Sequence, residues 1–264
     1  MGDPVTVEAS AIAFGYSRRG DVVNNISLTV RQGELLAIAG ENGSGKSTLI
    51  RVLCGLLSGF RGAVNLMGHA IGNLSREELS RMVAYVPQIK STPFRFTVRE
   101  LIELGAYPRI RRGANAAKVI EEAAALSGLD HILSREIQEL SGGELQRAHI
   151  AAAVAQDAPI LMLDEPSSFL DLRAQKAIYE LLRSLSLRGR TVVVTDHNLN
   201  LLSCYAHRLV FLREGRVVGD GRPEEVLTVE TIKAVYNTEV GIYNLVEVGF
   251  PLVYLRRNSG DGLA

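Results

Sequence analysis

The rhythm of apolar and polar positions changes along the chain. Near the N-terminus, "TVEASAIAF" and "NNISLTV" carry apolar residues on largely alternate positions, whereas "ELLAIAG", after the turn-like "RQG", is apolar on consecutive ones. The first two predict strands with one wet face, and the third a strand covered on both. That run enters a glycine-rich loop, and "STLIRVLCGLL" follows with helical spacing. "GAVNLMGHAI" predicts a hairpin, "SREELSRMV" a short helix whose Ser75 and Glu78 fit a capping box, and "AYVPQ" a further strand.

Between about residues 97 and 156 the pattern turns helical in "TVRELIELG", "NAAKVIEEAAALSGL" and "GGELQRAHIAAAVAQ", while "PRIRRG" at 108–113 reads as a solvated loop. Strand texture returns in "PILMLDEP", "TVVVTD" and "RLVFLREGRVVGDG", with helices between. Strands alternating with helices predict an α/β fold with a mostly parallel core sheet. It is preceded by an antiparallel β subdomain and interrupted by a helical one. The boundaries drawn are 1–88 and 157–223 for the core, 89–156 for the helical subdomain and 224–264 for a C-terminal extension, all within one domain. The extension reads as one short helix over "PEEVLTVETIKAVY", then two short strands around Gly249 and Pro251.

At 264 residues, 47% of them hydrophobic, the chain is long enough to bury a large core. Lysine plus arginine total 29, and aspartate plus glutamate also 29, so no net field draws the chain to nucleic acid. Cys54 and Cys204 stand far apart with no metal-ligand spacing and read as buried apolar residues in a reducing cytosol. The apolar runs are too short to span a bilayer, and no targeting segment is evident.

The loop after the two-sided strand is "GENGSGKST", Gly40 to Thr48, which matches G-x-x-x-x-G-K-[ST] between a strand and a helix. Gly40, Gly43 and Gly45, with Asn42 and Ser44 between them, let backbone N–H groups curl around phosphate oxygens at a helix N-terminus. Lys46 is placed to neutralise β and γ oxygens, and Ser47, next to Thr48, to coordinate Mg²⁺. "ILMLDEP" adds Asp164 for the metal and Glu165 to polarise water where a buried strand emerges.

A second candidate cradle, "LSGGELQRA", places Ser141, Gly142 and Gly143 at another helix start. With Tyr16 in "FGY", Gln88 in "YVPQ", Asp171 ending "SSFLD" and His197 in "TDHN", the ordered set of motifs resembles the ATP-binding cassette family over nearly the whole chain. The resemblance implies a P-loop fold, ATP and Mg²⁺ as ligands, and ATP hydrolysis in a head-to-tail homodimer. In such a dimer Ser141, Gly142 and Gly143 of one copy close over the ATP held by the other. It implies that Tyr16 stacks on adenine, Gln88 reaches Mg²⁺ and the attacking water, Asp171 sits across the seam, and His197 bonds the γ-phosphate while orienting Glu165.

"FTVRELIELG" followed by "YP", and the stretch beginning "HNLNLLSCYAHRL", are similar to the ATPases of importers for iron-siderophore complexes, haem and cobalamin. Ala106 and Asn198 stand where that group usually has arginine and aspartate. The implied partners are polytopic membrane permease subunits and, indirectly, a substrate-binding protein. The implied location is the cytoplasmic face of the membrane, and the competing reading is a soluble cassette ATPase outside transport.

Overall fold

The computed structural model describes residues 3–16, 20–88, 95–245 and 249–256. The N-terminal strands are β1 (Val5–Phe14), β2 (Val23–Arg31) and β3 (Leu35–Gly40), after which the glycine loop opens α1 (Lys46–Leu53). A hairpin of β4 (Arg61–Leu66) and β5 (His69–Ala70) leads to α2 (Arg76–Met82), whose N-cap Ser75 forms the expected capping box with Glu78, and to β6 (Val83–Val86). The helical segment holds α3 (Val98–Ile110), α4 (Ala116–Leu126) and α5 (Gly142–Ala155). Next come β7 (Ile160–Asp164), α6 (Leu172–Leu187), β8 (Thr191–Thr195), α7 (Leu199–Tyr205), β9 (Arg208–Arg213) and β10 (Arg216–Gly221). The chain continues through α8 (Pro223–Val226), α9 (Val229–Tyr236), β11 (Val240–Leu245) and β12 (Phe250–Leu255).

The main sheet has the order β10-β9-β3-β8-β7-β6 and is parallel except for the β9–β10 edge pair. A four-stranded antiparallel sheet, β2-β1-β4-β5, lies beside it, and β11 pairs with β12 alone. The consecutive apolar residues of β3 split by parity. Leu35, Ala37 and Ala39 enter the core shared with the helical segment, while Leu36 and Ile38 enter the core shared with α1 and the antiparallel sheet. β7 divides in the same way, with Leu161 and Leu163 on one side and Ile160 and Met162 on the other. A strand buried on both faces has no position for a polar residue until it leaves the sheet.

Helices α3 and α5 cross closely because Gly105 lies against the backbone of Ala152. A Cβ there would fall 2.1 Å from the Ala152 carbonyl oxygen. Ala106 is fully buried beside this crossing.

Three local expectations need correction. Pro108 and Arg109 do not begin a loop: α3 runs through them to Ile110, and Arg109 lies within 4 Å of the carboxylates of Glu122 and Asp157. Proline is tolerated there because it stands in the last turn, where a lost backbone bond affects only the helix end. The C-terminal helix is two helices, because the Thr228 side chain accepts from the Thr231 N–H and starts α9 afresh. Cys54 is buried as expected, but Cys204 is exposed on α7.

Candidate functional site

Four parallel strands end at one edge of the sheet, and each delivers a candidate residue there. β3 leads to the glycine loop, β6 to Gln88, β7 to Asp164 and Glu165, and β8 to Asp196 and His197. Ligands of open α/β sheets bind at this carboxyl edge.

The glycine loop is held in a shape other residues could not adopt. Gly45 has φ +103° as N-cap of α1, and a Cβ on it would meet the Val22 carbonyl oxygen at 2.7 Å. Behind it, the Gly215 N–H donates to the Ser44 carbonyl at 3.0 Å, so the β9–β10 turn braces the loop. Lys46 is almost wholly buried, and its Nζ donates to the carbonyls of Gly40 (2.8 Å) and Glu41 (2.9 Å). Burial lowers its pKa, opposed by the charges of Glu165, Asp164 and Asp196. A phosphate oxygen is the natural partner for such a cation at a helix N-terminus.

Asp164 is 1% exposed, and its Oδ1 accepts from Ser47 Oγ and Thr195 Oγ1, each at 2.8 Å. The Ser47 hydroxyl and the Asp164 carboxylate form a compact set of hard oxygen donors. That set suits Mg²⁺, which takes few protein ligands and keeps water and phosphate for the rest of its shell.

Glu165 follows with φ +47°, an uncommon conformation for a non-glycine residue. It is secured by its N–H, which lies 3.0 Å from both the carbonyl and the Oγ1 of Thr195. Strain of this kind costs about 1 kcal/mol or more and persists where surrounding bonds enforce it. Gln88 Nε2 donates to Glu165 Oε2 at 2.7 Å, and Ser168 Oγ donates to the same oxygen at 3.0 Å.

Gly40, Asn42, Gln88, Glu165 and His197 line one cleft of about 910 Å³, which adjoins the pocket around Gly43, Gly45, Lys46, Ser47 and Thr48 through Asn42 and Glu165. His197 is exposed and makes no side-chain hydrogen bond to Glu165, so the expected pairing is absent from this arrangement. Its backbone N–H donates instead to the buried Asp196 (2.7 Å). Tyr16 is 58% exposed, packs edge-on against Phe14, and has its hydroxyl 3.3 Å from Thr48 Oγ1.

The second cradle lies elsewhere on the surface. Ser141 N-caps α5, and its Oγ donates to Glu144 Oε2 at 2.7 Å and accepts from the Glu144 N–H at 3.3 Å. The Ser141 hydroxyl, and its backbone N–H at 2.8 Å, both donate to Glu144 Oε2 and hold that carboxyl below its usual range. Ser141, Gly142, Gly143 and Asp171 line a separate cleft of about 870 Å³, and the Asp171 carboxylate caps α6 by accepting from the Ala174 N–H at 2.8 Å. Phe169, 90% exposed, is among the described residues the one lining both this cleft and the 910 Å³ one.

Sequence reasoning left Asp196 without a role. Its fully buried carboxylate accepts from Ser167 Oγ (2.5 Å), Tyr179 OH (2.9 Å) and the N–H groups of His197 (2.7 Å) and Asn198 (3.2 Å). It ties α6 and the loop after Glu165 to the His197 turn. The available signal was an acid closing the apolar run "TVVVTD", the same pattern that drew attention to Asp164. Asn198 caps α7 by accepting from the Leu201 N–H, work that asparagine and aspartate do equally well.

A glycine cradle, a buried lysine and a hydroxyl–carboxylate pair at the carboxyl edge of a parallel sheet define a P-loop nucleotide-binding fold. Residues 23–168 match the ABC transporter family model, and the chain belongs to that family. It is 38% identical over 224 residues to the cobalamin import ATP-binding protein BtuD of Halobacterium salinarum, covering 84% of this chain and 56% of that one. It is 37% identical over 246 residues to the hemin import ATP-binding protein HmuV of Nocardia farcinica, covering 92% and 85%. Among solved structures, an ABC transporter assigned to the metal-chelate type, in an inward-facing conformation, superposes with a TM-score of 0.81 at 26% identity, covering 95% and 96%. The chain spans just over half the length of the first curated relatives it matches. No helix among the described residues is long and apolar enough to cross a membrane.

Proposed function

We propose that this chain is the ATP-hydrolysing subunit of an importer, and that two copies pair head to tail to complete two catalytic sites. The observation carrying this reading is the separation of the two clefts. One holds the glycine loop, Gln88, Glu165 and His197, and the other holds Ser141, Gly142, Gly143 and Asp171. Each is half of a site. The donors at the α5 N-terminus face an anion that arrives from outside the chain.

In the completed site, the loop N–H groups and Lys46 bind the β and γ phosphates, and Tyr16 offers its ring to the adenine. Ser47 and Asp164 would hold Mg²⁺, which there draws charge from the phosphate oxygens. Glu165 takes a proton from water as the water oxygen bonds to the γ-phosphorus and the bond to the β–γ bridging oxygen breaks, giving ADP and phosphate. Gln88 fixes the Glu165 carboxylate, while His197 and the partner's Ser141 face the γ-phosphate. Asp171 stands at the seam.

Gln88 also immediately precedes the segment leading to α3, so occupancy of the phosphate site can bias the helical subdomain and, through it, polytopic permease subunits. The relatives' names and the metal-chelate neighbour favour haem, cobalamin or an iron-siderophore complex as cargo, delivered by a substrate-binding protein. They also favour work at the cytoplasmic membrane face over a role outside transport.

The test is the ATPase rate per chain across a dilution series. The reading requires the rate to rise with concentration, and a constant rate per molecule down to strictly monomeric samples would overturn it.

A further inference from the structure

The C-terminal extension reaches the nucleotide site through Tyr236, the last residue of α9. Ile232 and Val235 anchor α9 in the main core, Arg213 Nη1 donates to the Ala234 carbonyl, and Asn237 ends the helix in a left-handed conformation with φ +46°. Tyr236 thereby stands on the wall of the cleft that also holds Gly40, Glu41, Gln88, Glu165 and His197.

Its hydroxyl is buried and has no hydrogen-bond partner among the described residues, although the Gly40 N–H lies near it outside bonding geometry. Burial raises its pKa, so it stays a neutral O–H with an unused donor. A buried donor left unpaired is costly, and its presence calls for an explanation.

The neighbouring carbonyls supply one. Lys46 Nζ donates to the oxygens of Gly40 and Glu41, which line the same cleft as Tyr236, the Gly40 backbone lying near its hydroxyl. A bound polyphosphate competes for the same ammonium. Once the lysine turns to phosphate, those carbonyls lose a charged donor.

We propose that Tyr236 is a positioning residue for the glycine loop, its hydroxyl donating to the Gly40–Glu41 carbonyl stretch when nucleotide draws Lys46 away. This gives the C-terminal extension a part in ATP binding, and it rests on the ATP-binding reading above.

The test is Tyr236→Phe in the full chain, which keeps the ring and deletes only the hydroxyl. Two readouts should move in opposite directions. Without nucleotide the thermal midpoint stays level or rises, because the lost group had no partner. ATP affinity, measured by titration with a fluorescent ATP analogue, falls roughly threefold to tenfold, the size of one hydrogen bond. Equal ATP affinity in both proteins overturns the inference while leaving the ATPase reading intact, and a lowered midpoint without nucleotide overturns it as a folding contact only. A parent chain that binds no ATP overturns both.

Discussion

Gln88 and Glu165, 77 residues apart in sequence, are joined by a 2.7 Å hydrogen bond from Gln88 Nε2 to Glu165 Oε2. Ser168 Oγ donates to the same oxygen, so both bonds fall on Oε2. This arrangement fixes the Glu165 carboxylate in place, as its proposed role as base requires. It also couples the end of β6 to the end of β7 beside the helical segment.

Glu165→Gln preserves the shape of that side chain and removes its capacity to accept a proton. ATP turnover is expected to fall at least about a hundredfold, the usual contribution of a general base, with ATP affinity nearly unchanged. Single-turnover hydrolysis beside an ATP titration checks this. Turnover at the parental rate would remove Glu165 from the role of base.

Ser141→Arg tests the shared site. Ser141 lies in a different cleft from Lys46. The bulky cation is therefore expected to abolish hydrolysis while a single chain still binds nucleotide. Loss of the Ser141–Glu144 capping box should lower stability by about 1 kcal/mol, which a denaturant midpoint separates from the catalytic effect. Binding and turnover lost in equal measure would count against head-to-tail pairing.

The parts of this molecule governed by local rules could be read from the sequence. The consecutive apolar residues of β3 announced a two-sided strand, and Ser75 with Glu78 announced a helix start, because burial parity and capping depend on neighbours a few residues away. The long-range polar bonds could not be read. Nothing in "TVVVTD" says that Asp196 receives Tyr179 and Ser167 from another helix and loop, and nothing near Gln88 names Glu165 as its partner. Pro108 misled for a related reason: its effect depends on where the helix ends, which packing decides.

Gly105→Val addresses the α3–α5 crossing. Even a Cβ meets the Ala152 backbone at 2.1 Å, so the helices must separate or tilt, and overpacking of this kind costs roughly 1–3 kcal/mol or more. The thermal midpoint is expected to drop by several degrees. Because the glycine loop lies on other elements, nucleotide binding by the folded fraction should persist. An unchanged midpoint would mean that the crossing is looser than this contact implies.

Two histidines set the response to mild acid. His149 on α5 has its pKa lowered by burial, with Nε2 unpartnered among the described residues, and that of His207 is lowered by burial and then by the charge of Arg183. Above the ordinary histidine value of 6.5 both are neutral whether the chain is folded or not, and neither makes stability depend on pH. Below it, the unfolded chain takes up protons that the folded chain refuses, so folding weakens as pH falls through 6.5 toward the lowered values. Urea midpoints measured at about pH 7.5, 6 and 5 should therefore decrease in that order. His149→Gln, which offers no ring to protonate, should flatten the decline while leaving the midpoint near pH 7.5 within about 1 kcal/mol of the parent. A midpoint that holds or rises on acidification would show that these rings gain a charged partner in the folded chain, the reverse of what their burial implies.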